Sequence, residues 1–154
     1  MKIAVTGSTG HVGMNLIPKL LSQGHEIRAI YRNPQYIKPL KQLGVECVQA
    51  DVNDEPALLK AFKGCEIVHH LAAVISITGD QDGNVKRVNV DGARNVAHAA
   101  LESGVRRMIH ASSVHAFSRF PNDAVLDETR ARANGSHHTA YDLSKAAGEM
   151  AVRE

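Results

Sequence analysis

Short apolar runs alternate with longer segments of helical period along the whole chain. Lys2–Thr6 is a brief apolar run ending at Gly7, and it predicts a strand. His11–Gln23 repeats apolar residues at Val12, Leu16, Leu20 and Leu21, and Gly24 follows where a helix stop belongs. Pro18 lies inside that pattern and is expected to weaken or bend the helix, because it removes a backbone donor. His25–Ile30 alternates polar and apolar, as a strand does. Tyr36–Leu43 predicts a short helix closed by Gly44, and Val45–Ala50 a third strand. Pro56–Phe62 predicts a helix capped by Asn53 or Asp54 and stopped at Gly64. Glu66–Leu71 reads as a fourth strand. Val85–Ser103 is the longest helical pattern, carried by Val85, Val88, Ala93, Val96, Ala97 and Ala100 and ended by Gly104. Arg107–Ala111 reads as a fifth strand, Ser118–Ser136 as a loop, and His138–Glu154 as a last helix.

Strand–helix alternation of this kind predicts an α/β fold, a doubly wound parallel sheet with helices on both faces. Right-handed crossovers leave few topologies, and the expected strand order is 3-2-1-4-5 within a single domain spanning 1–154. Ligands are then expected at the strands' carboxyl ends, where the order reverses between strands 1 and 4. Cys47 on strand 3 and Cys65 at strand 4 would lie two strands apart, with strands about 4.8 Å from one another. Both are expected to be reduced structural residues.

Composition narrows the picture. The 154 residues suffice for a core without disulfides or metals. Eighteen Lys and Arg against sixteen Asp and Glu give a formal charge of +2, too mild to argue for nucleic acid. The absence of Trp, with 4% aromatic residues, argues against base-stacking platforms. No apolar stretch approaches the roughly 20 residues of a membrane span, and the apolar start is too short for a signal peptide. The expected setting is cytoplasmic. Nine histidines raise the question of a metal. However, His69 and His70 are adjacent on a strand and point to opposite faces. His137 and His138 have no ligand partner at helical spacing, so no metal is expected.

The chemistry begins between the first strand and first helix, at Thr6-Gly7-Ser8-Thr9-Gly10-His11-Val12-Gly13. Glycines at this spacing allow a tight turn, close approach of backbone to a pyrophosphate, and close helix–strand packing. The helix start then offers its N–H groups and positive dipole end to the phosphates. Nineteen residues after Gly13, at the end of strand 2, stands Arg32 rather than a carboxylate. A carboxylate would accept from the ribose 2′-hydroxyl of NAD, whereas Arg32 grips a 2′-phosphate, so NADP is favoured over NAD. Asp51 and Val52 follow strand 3. Asp51 is suited to accept from the adenine amino group, with Val52 against the ring; alternatively it is a helix-entry residue beside Asn53. Leu71, Ala72 and Ala73 close strand 4, and these small residues let the cofactor lie against the backbone.

Tyr141 is the one tyrosine of three with a lysine, Lys145, four residues later. On a helix that spacing puts both on one face. A tyrosine hydroxyl ordinarily titrates near 10, and a neighbouring ammonium favours the phenolate. Such a pair is suited to move a proton at a carbonyl/alcohol oxygen while hydride moves at nicotinamide. Ser112 and Ser113 directly follow strand 5, where a hydroxyl is suited to donate to the same oxygen.

In order along the chain, these motifs resemble the extended short-chain dehydrogenase/reductase family, the NAD(P)-dependent epimerase/dehydratase group with its Rossmann-type fold. The resemblance rests on T-G-x-x-G-x-x-G at Thr6–Gly13, D-V at Asp51–Val52 and H-x-A-A at His70–Ala73. It continues with N-V-x-G-x-x-N-V at Asn89–Val96, S-S at Ser112–Ser113 and Y-x-x-x-K at Tyr141–Lys145. The resemblance implies that Ser113, Tyr141 and Lys145 form the catalytic triad, with Tyr141 and Lys145 also touching cofactor. Ser113 is chosen over Ser112 by counting back five from Ser118, although the family's V-Y-G is Ala116-Phe117-Ser118 here. Ser112 is assigned to the cofactor side, and Asn89 matches the family asparagine near the nicotinamide end.

Sugar dehydratases of the group carry Asp-Glu after the catalytic hydroxyl residue. Val114-His115 stands here, which disfavours dehydration. Tyr31-Arg32-Asn33-Pro34 and Gly64-Cys65 look most like dihydroflavonol-reductase-type members, with a nucleotide-sugar 4-epimerase as the alternative. His115 reads as a loop histidine or as a substrate-side acid/base. Substrates are expected to be small carbonyl/alcohol compounds or sugar nucleotides. The small residues of 85–103 and 138–154, such as Ala97 and Ala147, imply by resemblance a homodimer through those helices. Relatives continue past the Tyr–Lys helix with further strands and a substrate-binding domain, whereas this chain stops nine residues after Lys145. The expectation is therefore an incomplete enzyme with an exposed sheet edge at strand 5, or a dinucleotide-binding module without turnover.

Overall fold

The computed structural model describes residues 1–154. The chain separates into two compact units, one of Met1–Ala72 with Asn95–Ala111 and one of Ala73–Arg94 with Ser112–Glu154.

The first unit is built on five parallel strands: β1 (Lys2–Thr6), β2 (Glu26–Tyr31), β3 (Glu46–Gln49), β4 (Ile67–His70) and β5 (Arg107–His110). Their order is β3-β2-β1-β4-β5, as expected, with β3 and β5 at the edges. Between the strands run α1 (His11–Ser22), α2 (Lys38–Gln42) and α3 (Glu55–Phe62). Side chains alternate across a strand. Ile3, Val5, Ile27, Ala29 and Ile67 therefore share one face, and there they form a core with Ile17 and Leu20 of α1 and Leu40 of α2. Each such aliphatic side chain contributes about 1.5–3 kcal/mol when fully buried. Arg28 points to the opposite face, where its guanidinium donates to the Ala61 and Lys63 carbonyls of the α3 end. Asn95, His98 and Ser103 bond to Val52, Glu55 and Leu59 on that side. Both faces are thus covered.

Three local readings are corrected. The buried stripe of α1 is Gly13, Ile17 and Leu20, while Val12 is 59% exposed. Gly13 must face the preceding turn, and that constraint rotates the helix away from the Val12–Leu16 stripe. Pro18 lies inside α1, which runs on through it. The single helix expected over Tyr36–Leu43 is a 3-10 turn, Pro34–Tyr36, followed by α2, because Pro34 and Pro39 each start a turn and continue none. The helix expected over Val85–Ser103 is three pieces: α4 (Asn84–Lys86), a π turn (Arg87–Asp91) and α5 (Gly92–Glu102). The five-residue step from Val88 to Ala93 carries the reason. A π turn absorbs one extra residue, so both flanking stretches bury their apolar positions. Cys47 and Cys65 are free thiols.

In the second unit, α6 (Ala140–Arg153) starts at a capping box. Thr139 Oγ1 accepts from the Asp142 N–H at 3.1 Å, and Asp142 Oδ2 accepts from the Thr139 N–H at 2.9 Å. The long loop is pinned near its ends. Ser118 N donates to the Ala131 carbonyl and Ala133 N to the Ala116 carbonyl, and the Arg132 guanidinium lies 4.2 Å from the Phe117 ring centre. No helix is long and apolar enough to cross a membrane.

Candidate functional site

In the first unit the turn between β1 and α1 has no room for side chains at its outer glycines. Gly7 has φ +65°, and a Cβ there would sit 2.6 Å from the Ala72 nitrogen. A Cβ on Gly13 would sit 2.5 Å from the Gly7 carbonyl oxygen. Gly10 closes the turn, its N–H donating to Gly7 O at 2.9 Å. Helix α1 has no side-chain cap and no acidic residue in its first turn, whereas Asp54 caps α3 and Thr139 caps α6. The first N–H groups of α1, with the positive end of its dipole, are thus left to an external anion. His11 and Val12 are exposed at that end. These residues fit a dinucleotide pyrophosphate.

Two neighbours of the glycines anchor the turn: Ser8, at an open position of the motif, and Thr6, at its head. Ser8 is fully buried and donates to the Ile30 carbonyl at 2.7 Å, tying the turn to β2. The Thr6 hydroxyl lies 2.7 Å from His70 Nδ1 and accepts from the Leu71 and Ala72 N–H groups. With those two donors on its oxygen, Thr6 has its own proton to give to Nδ1. Nothing in the glycine spacing announces either anchor; only the strand register, Thr6 opposite His70, brings the second together. Arg32 is exposed, and its side chain makes no hydrogen bond or ion pair. Asp51 adopts the helix-entry arrangement, with Oδ1 accepting from the backbone and side-chain nitrogens of Asn53 at 2.9 Å each. Val52 is 8% exposed.

In the second unit, Tyr141 and Lys145 stand one turn apart on α6. Lys145 is 5% exposed. Burial pushes its ammonium below the usual lysine range, and Glu149, one turn further on, partly offsets this. Glu149 also accepts from the Ser112 hydroxyl and pairs with Arg132 at 2.7 Å. The Ser112 hydroxyl is thus directed to α6, while Ser113 Oγ accepts from the His115 N–H at 3.2 Å and keeps its own proton to donate. Asn89, 4% exposed in the π turn, exchanges bonds of 2.8 Å with the Val74 backbone and donates to Ser144 Oγ at 2.9 Å. Its amide therefore fastens the segment after Ala73 to α6. Gly148 lets α6 pass against the Asn89 carbonyl, where a Cβ would collide. Sequence reasoning missed Glu149 and Asp142, although Glu149 continues the four-residue spacing of Tyr141 and Lys145.

The family model for 3-beta hydroxysteroid dehydrogenase/isomerase matches residues 4–154. The chain belongs to that family. It lies within the extended short-chain dehydrogenase/reductase group that the motifs resemble. Sterol demethylase protein B of Methylococcus capsulatus is 35% identical over 152 residues, covering 99% of this chain and 46% of that protein. Cinnamoyl-CoA reductase 1 of Oryza sativa subsp. japonica is 38% identical over 137 residues, covering 82% of this chain and 39% of that protein. The solved UDP-glucose 4-epimerase of Thermus thermophilus in complex with NAD superposes with a TM-score of 0.85 at 26% identity. That match covers 99% of this chain and 50% of the epimerase. The chain thus spans half or less of the length of these relatives.

Proposed function

We propose that this chain carries the dinucleotide-binding and proton-transfer parts of an NADP-preferring oxidoreductase acting on a carbonyl/alcohol pair, closest in type to dihydroflavonol reductase. The observation that carries the reading is Lys145, an ammonium 5% exposed one turn after Tyr141, the one tyrosine in the chain with a lysine four residues later. A lysine is almost never so buried unless paired, and perturbed titratable groups cluster at functional sites. The dinucleotide, when bound, supplies the hydride acceptor or donor. The remaining work belongs to this chain. Gly7, Thr9, Gly10, His11, Val12 and Gly13 hold the pyrophosphate, and Arg32 grips the 2′-phosphate. Tyr141 gives or takes the proton at the substrate oxygen, and Ser113 donates a second hydrogen bond to it. Lys145, one turn along the same helix, holds ribose. Cinnamoyl-CoA reductase 1 supports a net reductase.

The fold likeness to a UDP-glucose 4-epimerase supports a second reading, a nucleotide-sugar 4-epimerase that regenerates its own dinucleotide. A homodimer through α5 and α6 belongs to the proposal too. Ala93, Ala100, Ala146 and Ala151 are buried within the chain, which leaves the exposed Leu101, Ala147 and Met150 to meet a partner.

The test is a titration with NADPH and with NADH, followed by turnover on a panel of aldehydes, ketones and UDP-sugars, with Tyr141→Phe beside it. A reductase consumes NADPH in step with carbonyl loss. An epimerase interconverts a UDP-sugar with no net consumption. Binding without Tyr141-dependent turnover contradicts both in favour of a binding module, and no binding contradicts all three.

A further inference from the structure

We propose that His115, oriented by Asp142, is a second proton-transfer group acting on the substrate beside Tyr141. This rests on the oxidoreductase reading of the same residues. His115 is the middle residue of the 3-10 turn Val114–Ala116 that Ser113 caps, so one turn carries both side chains. Its Nδ1 lies 2.6 Å from Asp142 Oδ1. The Asp142 side chain is only 6% exposed. Burial alone would raise its carboxyl; the bonds from Thr139 and His115 prevail and hold it below the usual range. An ionised carboxylate is acceptor-only, so Nδ1 carries the proton of that bond, and in its neutral form a ring held this way presents a bare Nε2. Nε2 makes no hydrogen bond within the protein, and the His115 side chain is 57% exposed. A carboxylate fixing tautomer and orientation is what an imidazole base requires.

Placement carries the rest. The His115 ring packs edge-on against the Tyr141 ring, with centroids 5.4 Å apart. His115 and Asp142 also line a small cavity with Arg119 and His138, where Val114, Phe117 and Leu126 offer apolar surface suited to a substrate's carbon frame. The comparison pair is His98–Glu55, equally short at 2.6 Å but lying on α3 and α5, with a Glu55 side chain 35% exposed. It adjoins no proposed catalytic group. The step itself is a proton transfer. A substrate O–H or acidic C–H next to the carbonyl breaks, its proton forms a bond to Nε2, and the electron pair stays on the substrate. The Nδ1 proton remains in the bond to Asp142. The reverse step returns the proton.

Two measurements test this. Long-range ¹H–¹⁵N NMR of the labelled chain, at a pH where imidazoles are neutral, should find His115 in the Nδ1–H form. Asp142→Asn should release it toward Nε2–H, leaving His98 unchanged. A wild-type His115 in the Nε2–H form overturns the proposal. In the turnover assay, His115→Phe keeps the aromatic edge against Tyr141 but removes the base. It should lower kcat about a hundredfold or more, with the KM for NADPH changed by less than about twofold. Retention of wild-type kcat in His115→Phe, while Tyr141→Phe is inactive, overturns the role of His115 alone. Retention of turnover in Tyr141→Phe contradicts the oxidoreductase reading itself, and this proposal falls with it.

Discussion

Ser8 and Gly13 act on the same turn in opposite ways, one by a bond and the other by the absence of an atom. Ser8→Ala leaves the Ile30 carbonyl without its buried donor, which costs about 1–3 kcal/mol. Urea denaturation should record that loss. Gly13→Ala places a Cβ against the Gly7 carbonyl, and overpacking of that kind costs about 1–3 kcal/mol. NADPH affinity should fall with it, because the same backbone faces the phosphates; an unchanged affinity would separate the turn from binding. Lys145 gives a different balance. Its folded-state pKa is lowered by burial, so the unfolded chain binds the proton more readily. The cost is full below the folded pKa and fades as pH rises toward the unfolded value of about 10.4. Lys145→Met should therefore raise the thermal midpoint at neutral pH while turnover is lost, a trade of stability for function. Asp142 has the opposite sign. Its depressed carboxyl pKa stabilises the fold above about pH 4, and that contribution is lost as pH falls through the folded pKa. Asp142→Asn should flatten this acid limb in chemical denaturation measured at a series of pH values.

Among the elements, the strands were the most legible in the sequence. β1 matches Lys2–Thr6 residue for residue, and the other four differ by one residue at one or both ends. Buried parallel strands read as short apolar runs, and each turn residue marks a boundary. The helices were less legible, because period alone does not choose a face. Gly13 rotates α1, and the π turn resets the phase after Val88. Residue spacing pointed to the glycine turn and to the Tyr–Lys pair, but not to the carboxylates beside the latter. Asp142 and Glu149 act through contacts with His115 and Ser112, which are far away in sequence. The π turn is itself testable. Asn89 makes three bonds from it, so Asn89→Ala should lower stability by about 2–4 kcal/mol if each is worth roughly 1 kcal/mol. Hydrogen exchange should rise at the Val74 amide, its direct partner.

For the whole chain, tasks divide between the two compact units. The sheet unit holds the glycine turn, and the other unit holds Ser113, His115, Tyr141 and Lys145. A ligand that binds only the folded state stabilises it by about 2.7 kcal/mol at a hundred times its Kd. Saturating NADPH should accordingly raise the melting temperature, and Arg32→Ala should shrink that rise for NADPH more than for NADH. An equal response to both dinucleotides in the wild type would remove Arg32 as the cofactor discriminator. The central claim is that Tyr141 moves the substrate proton during dinucleotide-dependent turnover. It is tested most directly by following NADPH absorbance with a carbonyl panel, comparing the wild-type chain with Tyr141→Phe. The account predicts carbonyl-dependent loss of NADPH in the wild type and about a hundredfold less in Tyr141→Phe. Equal rates in the two proteins, or tight NADPH binding with no turnover in either, would contradict it.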